Sequence, residues 1–263
     1  MKPVVRSLRP PSAPAVNRRD MIKGLVGASV SVVVSQSVIG CATGSTPTDT
    51  TSQGASGSGS CVLTAALTEG PFFVDEKLDR SDIRSDPVTG ALSAGVPLGL
   101  TFNVSRVANS ACTPLTGAYI DVWHADAAGA YSDVSGMGNG AGGAGHKFLR
   151  GYQVTNANGQ AQFTTIYPGW YSGRAVHVHF KLRLYAGSST SYEFTSQFFL
   201  VESITSVVHA AAPYNTRGPR NVMSSADGIY NSLSAAQKSA LTLQTTQTAD
   251  GYSGIISLDV NVG

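Results

Sequence analysis

The sequence predicts an all-β sandwich with long loops and one short helix near its C-terminus. Of its 263 residues, 29 are glycine and only 13% are charged, a composition typical of β-rich proteins. Short stretches alternate between apolar and polar residues and are separated by turn residues, which is the pattern of a sandwich. One stretch beyond the N-terminal region combines a helical composition with a helix start signal.

The predicted strands follow one another from residue 98 to residue 262. Four of them alternate with a period of two, namely 98–107, 118–124, 176–184 and 252–262, so that successive side chains point to opposite faces of the strand. The predicted strands together cover residues 98–107, 118–124, 148–154, 160–166, 176–184, 192–201 and 252–262. The tight turn Asn-Ala-Asn-Gly at 156–159 predicts that the strands on either side of it pair as a hairpin.

The predicted helix covers residues 233–243, with Ser234 as its N-cap. Ahead of it, residues 207–230 predict irregular structure, because proline and glycine recur there. The charged residues 75–86 and the glycine-rich residues 132–145 predict surface loops.

Residues 1–41 predict an export signal. Arg18 and Arg19 precede the weakly apolar residues 24–40, an arrangement that resembles a twin-arginine signal. An uncleaved membrane helix is the alternative, but this stretch is short and contains serine and glutamine. Residues 38–41 resemble a lipobox, which would make Cys41 a lipidated membrane tether; ordinary cleavage nearby is the other interpretation.

Residues 42–60 are rich in Gly, Ser and Thr and predict a flexible linker, which leaves residues 61–263 as the folded domain. Cys61 and Cys112 would most simply pair in an oxidising compartment, although two separate buried thiols are the alternative. The formal net charge is +2, but residues 1–24 hold six basic residues and one acidic residue. The remainder is mildly acidic, which gives no indication of nucleic-acid binding.

The strand 176–184 carries the strongest chemical signal in the chain. Its alternation places His177 and His179 on one face, about 7 Å apart, close enough to bind one ion. A turn just before the strand brings Tyr171 and Arg174 near its start. Imidazole and phenolate ligands favour a hard ion such as Fe(III). The alternative interpretation is a sheet whose polar face simply lies in water.

Several motifs occur in an order and at spacings that resemble the intradiol ring-cleavage dioxygenases of the catechol and protocatechuate type. The resemblance covers roughly residues 67–201. It rests on Trp123-His-Ala-Asp-Ala-Ala-Gly-Ala-Tyr131, Tyr167-Pro-Gly-Trp-Tyr171, Arg174-Ala-Val-His177-Val-His179 and Gln197. It implies the sandwich fold of that family, and a non-haem Fe(III) as the cofactor.

The resemblance also implies roles for individual residues. The implied iron ligands are Tyr131, Tyr171, His177 and His179, with Tyr131 and His177 equatorial and the other two axial. Tyr171 would leave the metal and act as a base, while Arg174 and Gln197 would stabilise and orient the substrate. The implied reaction opens a catechol with O2 to a cis,cis-muconate type product. The family's helical dimerisation domain has no counterpart here, so the oligomeric state stays open.

Two alternatives compete with this interpretation. One is a tethered, non-catalytic sandwich that binds an aromatic or carbohydrate ligand. The other is a Zn or Cu site that uses only His177 and His179. The identity of the catechol is not indicated, although residues 69–73 and 132–145 are expected to form the rim of its pocket.

Overall fold

A computed structural model describes residues 61–109, 111–135 and 143–263. The predicted export signal, lipidation site and linker lie outside the described residues and stay predictions. Within the described part of the chain, no helix has the length and apolar character needed to span a bilayer.

The described chain forms two five-stranded sheets, which confirms the predicted all-β sandwich. In chain order the strands are β1 Pro97–Ala108, β2 Ala111–Pro114, β3 Tyr119–Trp123, β4 Arg150–Val154, β5 Gln160–Ile166, β6 His177–Ala186, β7 Ser189–Leu200, β8 Thr242–Leu243, β9 Thr245–Gln247 and β10 Tyr252–Val260. In one sheet β1 pairs with β10 in parallel and with β2 and β5 antiparallel, and β9 extends it beyond β10. The other sheet has the order β4-β3-β6-β7-β8.

The core lies between the two sheets. Alternate residues of β1 point inward, so that Leu100 and Phe102 are almost fully buried. Phe102 contacts the rings of Phe163, Phe180 and Phe198, with centroids 5.7–6.1 Å apart. These rings come from both sheets, and their burial holds the sheets face to face.

The outer face of β6 is covered by residues 67–80, which we call the covering segment. The backbone N–H of Leu67 donates to the carbonyl of Thr195 on β7. At the other end, Tyr152 on β4 donates its N–H to Leu78 at 2.8 Å. The segment therefore crosses the sheet from β7 to β4. The alternative that this polar face simply lies in water is wrong.

Ion pairs fasten the covering segment to β6. Lys181 and Arg183 are 4% and 8% exposed, although both are charged. Lys181 pairs with Glu69 of the segment, and Arg183 donates to Asp75 at 3.0 Å and to Asp121 of β3 at 2.6 Å. Buried charges require such partners. The face of the sheet that carries the two histidines is thus an internal polar layer.

The predicted hairpin is wrong, although its turn is present. Asn156 accepts hydrogen bonds from the N–H groups of Asn158 and Gln160, and Gly159 has a positive φ of 71°. The strands that it joins pair with different partners, however: β4 pairs with β3, and β5 pairs with β1. The turn carries the chain from one sheet to the other, because strand pairing depends on distant partners.

The prediction of one short helix is confirmed in part. Helix α3, Ala235–Ala240, is capped by Ser234 in a capping box with Gln237. Two further helices, α1 Glu202–His209 and α2 Gly228–Asn231, and two 3-10 helices were not expected. Helix α1 is rich in β-branched residues and has no side-chain N-cap bond, so local signals did not indicate it.

The surface loop predicted for residues 75–86 is also wrong in part, because Ile83 and Asp86 are buried there. Asp86 accepts hydrogen bonds from Thr89, His146 and the N–H of Lys147. The predicted pairing of Cys61 with Cys112 is confirmed, with a Cα–Cα distance of 5.9 Å. This disulfide ties the start of the described chain to β2.

Candidate metal centre

His177 and His179 begin strand β6 and lie on its outer face, at the end of the internal polar layer. They are 3% and 1% exposed, and their Nε2 atoms lie 3.0 Å apart. His177 Nδ1 lies 2.7 Å from the carbonyl oxygen of Ala175. Since a carbonyl only accepts, the ring N–H is at Nδ1 and the Nε2 lone pair points towards His179.

Both imidazoles are neutral near pH 7. Burial, together with the nearby Arg174 guanidinium, lowers the pKa of His177 to about 3. Burial lowers the pKa of His179 well below its ordinary value, and the neighbouring His177 lowers it further. Neutral imidazole is the form that binds metal ions.

The two phenols approach the histidines from separate loops. Tyr171 precedes β6, and its hydroxyl lies 3.1 Å from His177 Nε2. Tyr131 follows β3, and its ring centroid lies 5.6 Å from that of Tyr171 and 6.3 Å from that of His179. The structure therefore brings together all four side chains for which the sequence predicts a shared ion.

The donor set fits a hard, highly charged cation. Burial raises the pKa of Tyr171, and it raises that of Tyr131 well above the usual range. Both phenols thus keep their protons unless a cation replaces them. In the described ranges, no three His, Cys, Asp or Glu side chains cluster so as to hold a metal. A metal at this centre would therefore need the phenol oxygens as well as the imidazoles, which favours Fe(III) over Zn or Cu.

Arg174 and Gln197 lie beside the centre, as predicted. Arg174 Nη2 donates to Gln197 Oε1 at 2.5 Å, and its Nη1 lies 3.5 Å from His177 Nε2. Gln197 is fully buried on β7, opposite His179 in the strand register, and donates to the carbonyl of Thr68 at 3.2 Å. The pair places a fixed positive charge beside His177.

Sequence reasoning missed three neighbours of the centre. Trp123, which begins one motif of the resemblance but received no role there, stacks on His179 with centroids 5.1 Å apart and planes at 7°. Phe72 of the covering segment stacks on Tyr131 at 4.5 Å and meets Tyr171 edge-on at 5.7 Å. The third is Asp227, a buried carboxylate that accepts from Arg174 Nε at 2.8 Å. Of these, Trp123 and Phe72 stood in stretches expected near the site, whereas Asp227 did not.

The covering segment also approaches His179 directly at Gly70. A Cβ atom at this position would lie 3.5 Å from His179 Cε1, and its φ of 71° favours glycine. Phe73 packs against Trp123, and Lys181 Nζ lies 4.0 Å from the centre of the Phe73 ring. Residues 69–73 therefore form one wall of the centre, which agrees with their expected place at its rim.

Residues 68–186 match a family model described as Dioxygenase. The matched range contains the four clustered His and Tyr residues and Arg174, while Gln197 lies beyond it. No curated protein significantly matches the chain.

Solved structures show the same relationship. An intradiol ring-cleavage dioxygenase from Tetranychus urticae is 29% identical with a TM-score of 0.64, and the alignment covers 77% of this chain and 96% of that one. The dioxygenase domain of a dioxygenase carbohydrate-binding protein fusion from Streptomyces sp. SirexAA-E is 25% identical with a TM-score of 0.52, covering 77% and 100%.

Hydroxyquinol 1,2-dioxygenase from Pseudomonas putida DLL-E4 is 18% identical with a TM-score of 0.50, covering 76% of this chain and 67% of that one, and it shares the fold. The family model and the structural neighbours thus confirm the resemblance that the motifs indicate. In sequence and in fold, this chain is similar to the intradiol ring-cleavage dioxygenases.

Proposed function

We propose that this chain is a non-haem Fe(III) dioxygenase that cleaves a catechol between its two hydroxylated carbons with O2, giving a cis,cis-muconate type product. The observation that carries the proposal is the convergence of Tyr131, Tyr171, His177 and His179. The two Nε2 atoms are 3.0 Å apart and the Tyr171 hydroxyl is 3.1 Å from one of them. The similarity to intradiol dioxygenases supports the reaction type.

The four side chains would hold the iron. When bound, Fe(III) would supply the Lewis acidity that activates a catechol towards O2. Tyr171 is the most exposed of the four, since the other three are at most 3% exposed. Once a bound cation has replaced its proton, the phenolate oxygen of Tyr171 would therefore be the group best placed to accept a proton from the substrate.

Arg174 would supply the electrostatic stabilisation. Its guanidinium faces His177 and is only partly exposed, with 18% of the side chain accessible. A fixed cation in a partly dry site stabilises negative charge that develops on a bound catecholate. Gln197 accepts a hydrogen bond from Nη2 of Arg174 and so orients the guanidinium. Phe72 and Trp123 are both buried and line the centre with aromatic rings.

The direct test is to load the purified protein with ferric iron. We expect a red-brown colour from tyrosinate-to-iron charge transfer. We also expect uptake of O2 with catechol, protocatechuate or hydroxyquinol, and the relative uptake rates would identify the preferred substrate. Tyr171→Phe is expected to bleach or shift the colour and to reduce the rate by at least 10²-fold, because a ligand and a base are lost together. Tyr167→Phe is the matched control, since Tyr167 bonds to Thr205 away from the centre.

The alternative functions predict different results. A colourless, iron-free protein that binds an aromatic or carbohydrate ligand without consuming O2 would favour a non-catalytic binding domain. Stoichiometric Zn or Cu in protein as isolated, with no ferric colour after loading, would favour the site made of His177 and His179 alone.

We further propose that the enzyme acts outside the cytoplasm, on the basis of Arg18, Arg19 and the lipobox-like residues 38–41. Replacing both arginines by lysine is expected to retain the protein in the cytoplasm, which cell fractionation would measure. Cys41→Ser is expected to abolish incorporation of labelled fatty acid and to release the protein from membranes. Unchanged fractionation of both variants would contradict this location.

A further inference from the structure

We propose that Asp227 is a positioning residue that fixes the guanidinium of Arg174 at the centre. The expected effect of Asp227 on catalysis rests on the proposed function, whereas its hold on Arg174 does not. Asp227 lies in the region expected to be irregular, 53 residues from Arg174 in sequence. No motif of the resemblance includes it.

The Asp227 carboxylate has all of its hydrogen bonds within the protein. Oδ2 accepts from Arg174 Nε at 2.8 Å and from the N–H of Ala175 at 2.8 Å. Oδ1 accepts from the N–H groups of Ile229 and Tyr230, at 2.9 and 3.0 Å, and so caps helix α2. Oδ2 thus binds the residues beside the centre, while Oδ1 binds the first turn of helix α2.

Arg174 is held from two sides as a result. Asp227 binds its Nε and Gln197 binds its Nη2, which leaves Nη1 facing His177. The Asp227 side chain is fully buried and that of Arg174 is 18% exposed, so the ion pair is largely dry. A charge-assisted hydrogen bond in such surroundings fixes a long side chain far better than an exposed one.

The charge of Asp227 is maintained by the same contacts. Burial alone would raise the pKa of this carboxyl, but hydrogen bonds from the N–H groups of Tyr230 and Ala175 and from Arg174 outweigh burial and hold it below its ordinary value. Asp227 is therefore an anion at neutral pH. An amide in its place would be neutral and could not accept at both oxygen positions.

The first test measures the position of the guanidinium without using activity. In 15N-labelled wild-type protein, the Nε–H proton of Arg174, assigned by its loss in Arg174→Gln, is expected to exchange slowly with solvent. In Asp227→Asn we expect its exchange to accelerate by at least tenfold. Unchanged protection in this variant would overturn the proposal, whether or not the enzyme is active.

The second test measures the catalytic consequence in iron-loaded protein. Asp227→Asn is expected to lower kcat on the order of 10²-fold, the effect of a displaced catalytic group, while the ferric absorption band stays in place. When Arg174 is already replaced by Gln, adding Asp227→Asn is expected to lower kcat by less than threefold, because Asp227 acts through Arg174. An equal loss in both backgrounds would refute the positioning role.

A matched control separates positioning from folding. Glu202 accepts hydrogen bonds from the N–H and hydroxyl of Ser224 and pairs with Arg220, so it anchors the same region as Asp227. Glu202→Gln is expected to lower the melting temperature but to leave kcat and Arg174 exchange unchanged. If it lowers kcat as much as Asp227→Asn does, the effect is structural. An inactive wild type would refute the proposed function, and the exchange measurement would still decide whether Asp227 holds Arg174.

Discussion

At the scale of single residues, the chain uses buried imidazoles for two different purposes. His124 lies only 1% exposed, with Nδ1 2.8 Å from the carbonyl of Ala125 and Nε2 2.7 Å from the hydroxyl of Thr165. Both of its nitrogens are satisfied within the protein, so it is a structural residue. The Nε2 atoms of His177 and His179 instead face each other and the phenols.

The burial of His124 predicts a dependence of stability on pH. Burial lowers its pKa to about 4, whereas an unfolded histidine titrates near 6.5. Between these values only the unfolded chain takes up this proton, so the free energy of unfolding falls as the pH drops from about 6.5 to 4, by up to about 1.4 kcal/mol per pH unit. Urea unfolding across this range should show a shallower decline for His124→Gln. Parallel profiles would contradict the prediction.

Residue patterns predicted most of the centre but not all of it. Tyr171, Arg174, His177 and His179 are close in sequence, so alternation and a turn were enough to place them together. Asp227 is distant in sequence and lies where no periodicity exists, and a capping aspartate has no local feature that marks a contact with Arg174. Its role became visible only once the chain was folded.

At the scale of elements, the covering segment converts a polar sheet face into an internal layer. Arg183 shows how the charges of this layer are paired, because it binds both Asp75 of the segment and Asp121 of the sheet. Burial raises the pKa of Asp121, although Arg183 opposes this effect. Losing the cation would leave a carboxylate unpaired in a largely dry place.

Arg183→Ala is therefore expected to destabilise the domain strongly. Removing one partner of a buried ion pair lowers the free energy of unfolding by about 3–5 kcal/mol. Urea or thermal unfolding would measure this loss. Arg84→Ala is the matched control, since the Arg84–Asp82 pair is 28% and 49% exposed. An exposed pair contributes about 0–1 kcal/mol. Equal effects of the two substitutions would show that the layer does not depend on its charges.

The elements themselves were predicted unequally. Residue patterns placed β1, β6, β7 and β10 within three residues of their ends, because apolar and polar side chains alternate along β1, β6 and β10. They could not choose partners, so the turn at 156–159 was interpreted as a hairpin although it links two sheets. Helix α1 was missed because Thr205 and Val208 are buried by tertiary packing rather than selected by helix propensity.

At the scale of the whole molecule, the disulfide joins Cys61 and Cys112, which are 51 positions apart in the sequence, and so closes a loop. The bond restricts the unfolded chain, and a loop of this length corresponds to about 4 kcal/mol in the chain-entropy view. The bonded ends flank the covering segment and the central strand β1. Reduction should therefore loosen the fold around the polar layer.

We expect a reducing agent to lower the melting temperature of the wild-type domain by several degrees. Cys61→Ser should melt near the reduced value and should not respond to the reducing agent. Calorimetry with and without reductant measures both effects. A wild-type melting temperature that does not change on complete reduction would show that the bond contributes nothing to stability.

The covering segment precedes β1 in the chain, yet it supplies Gly70 and Phe72 to the wall of the centre. The four His and Tyr side chains of the centre and this wall are thus encoded in separate stretches. Replacing residues 67–80 with those of a related protein would exchange this wall while leaving the four His and Tyr side chains of the centre intact. The wall of the centre can consequently diverge by replacement of one short segment, without rebuilding the sandwich.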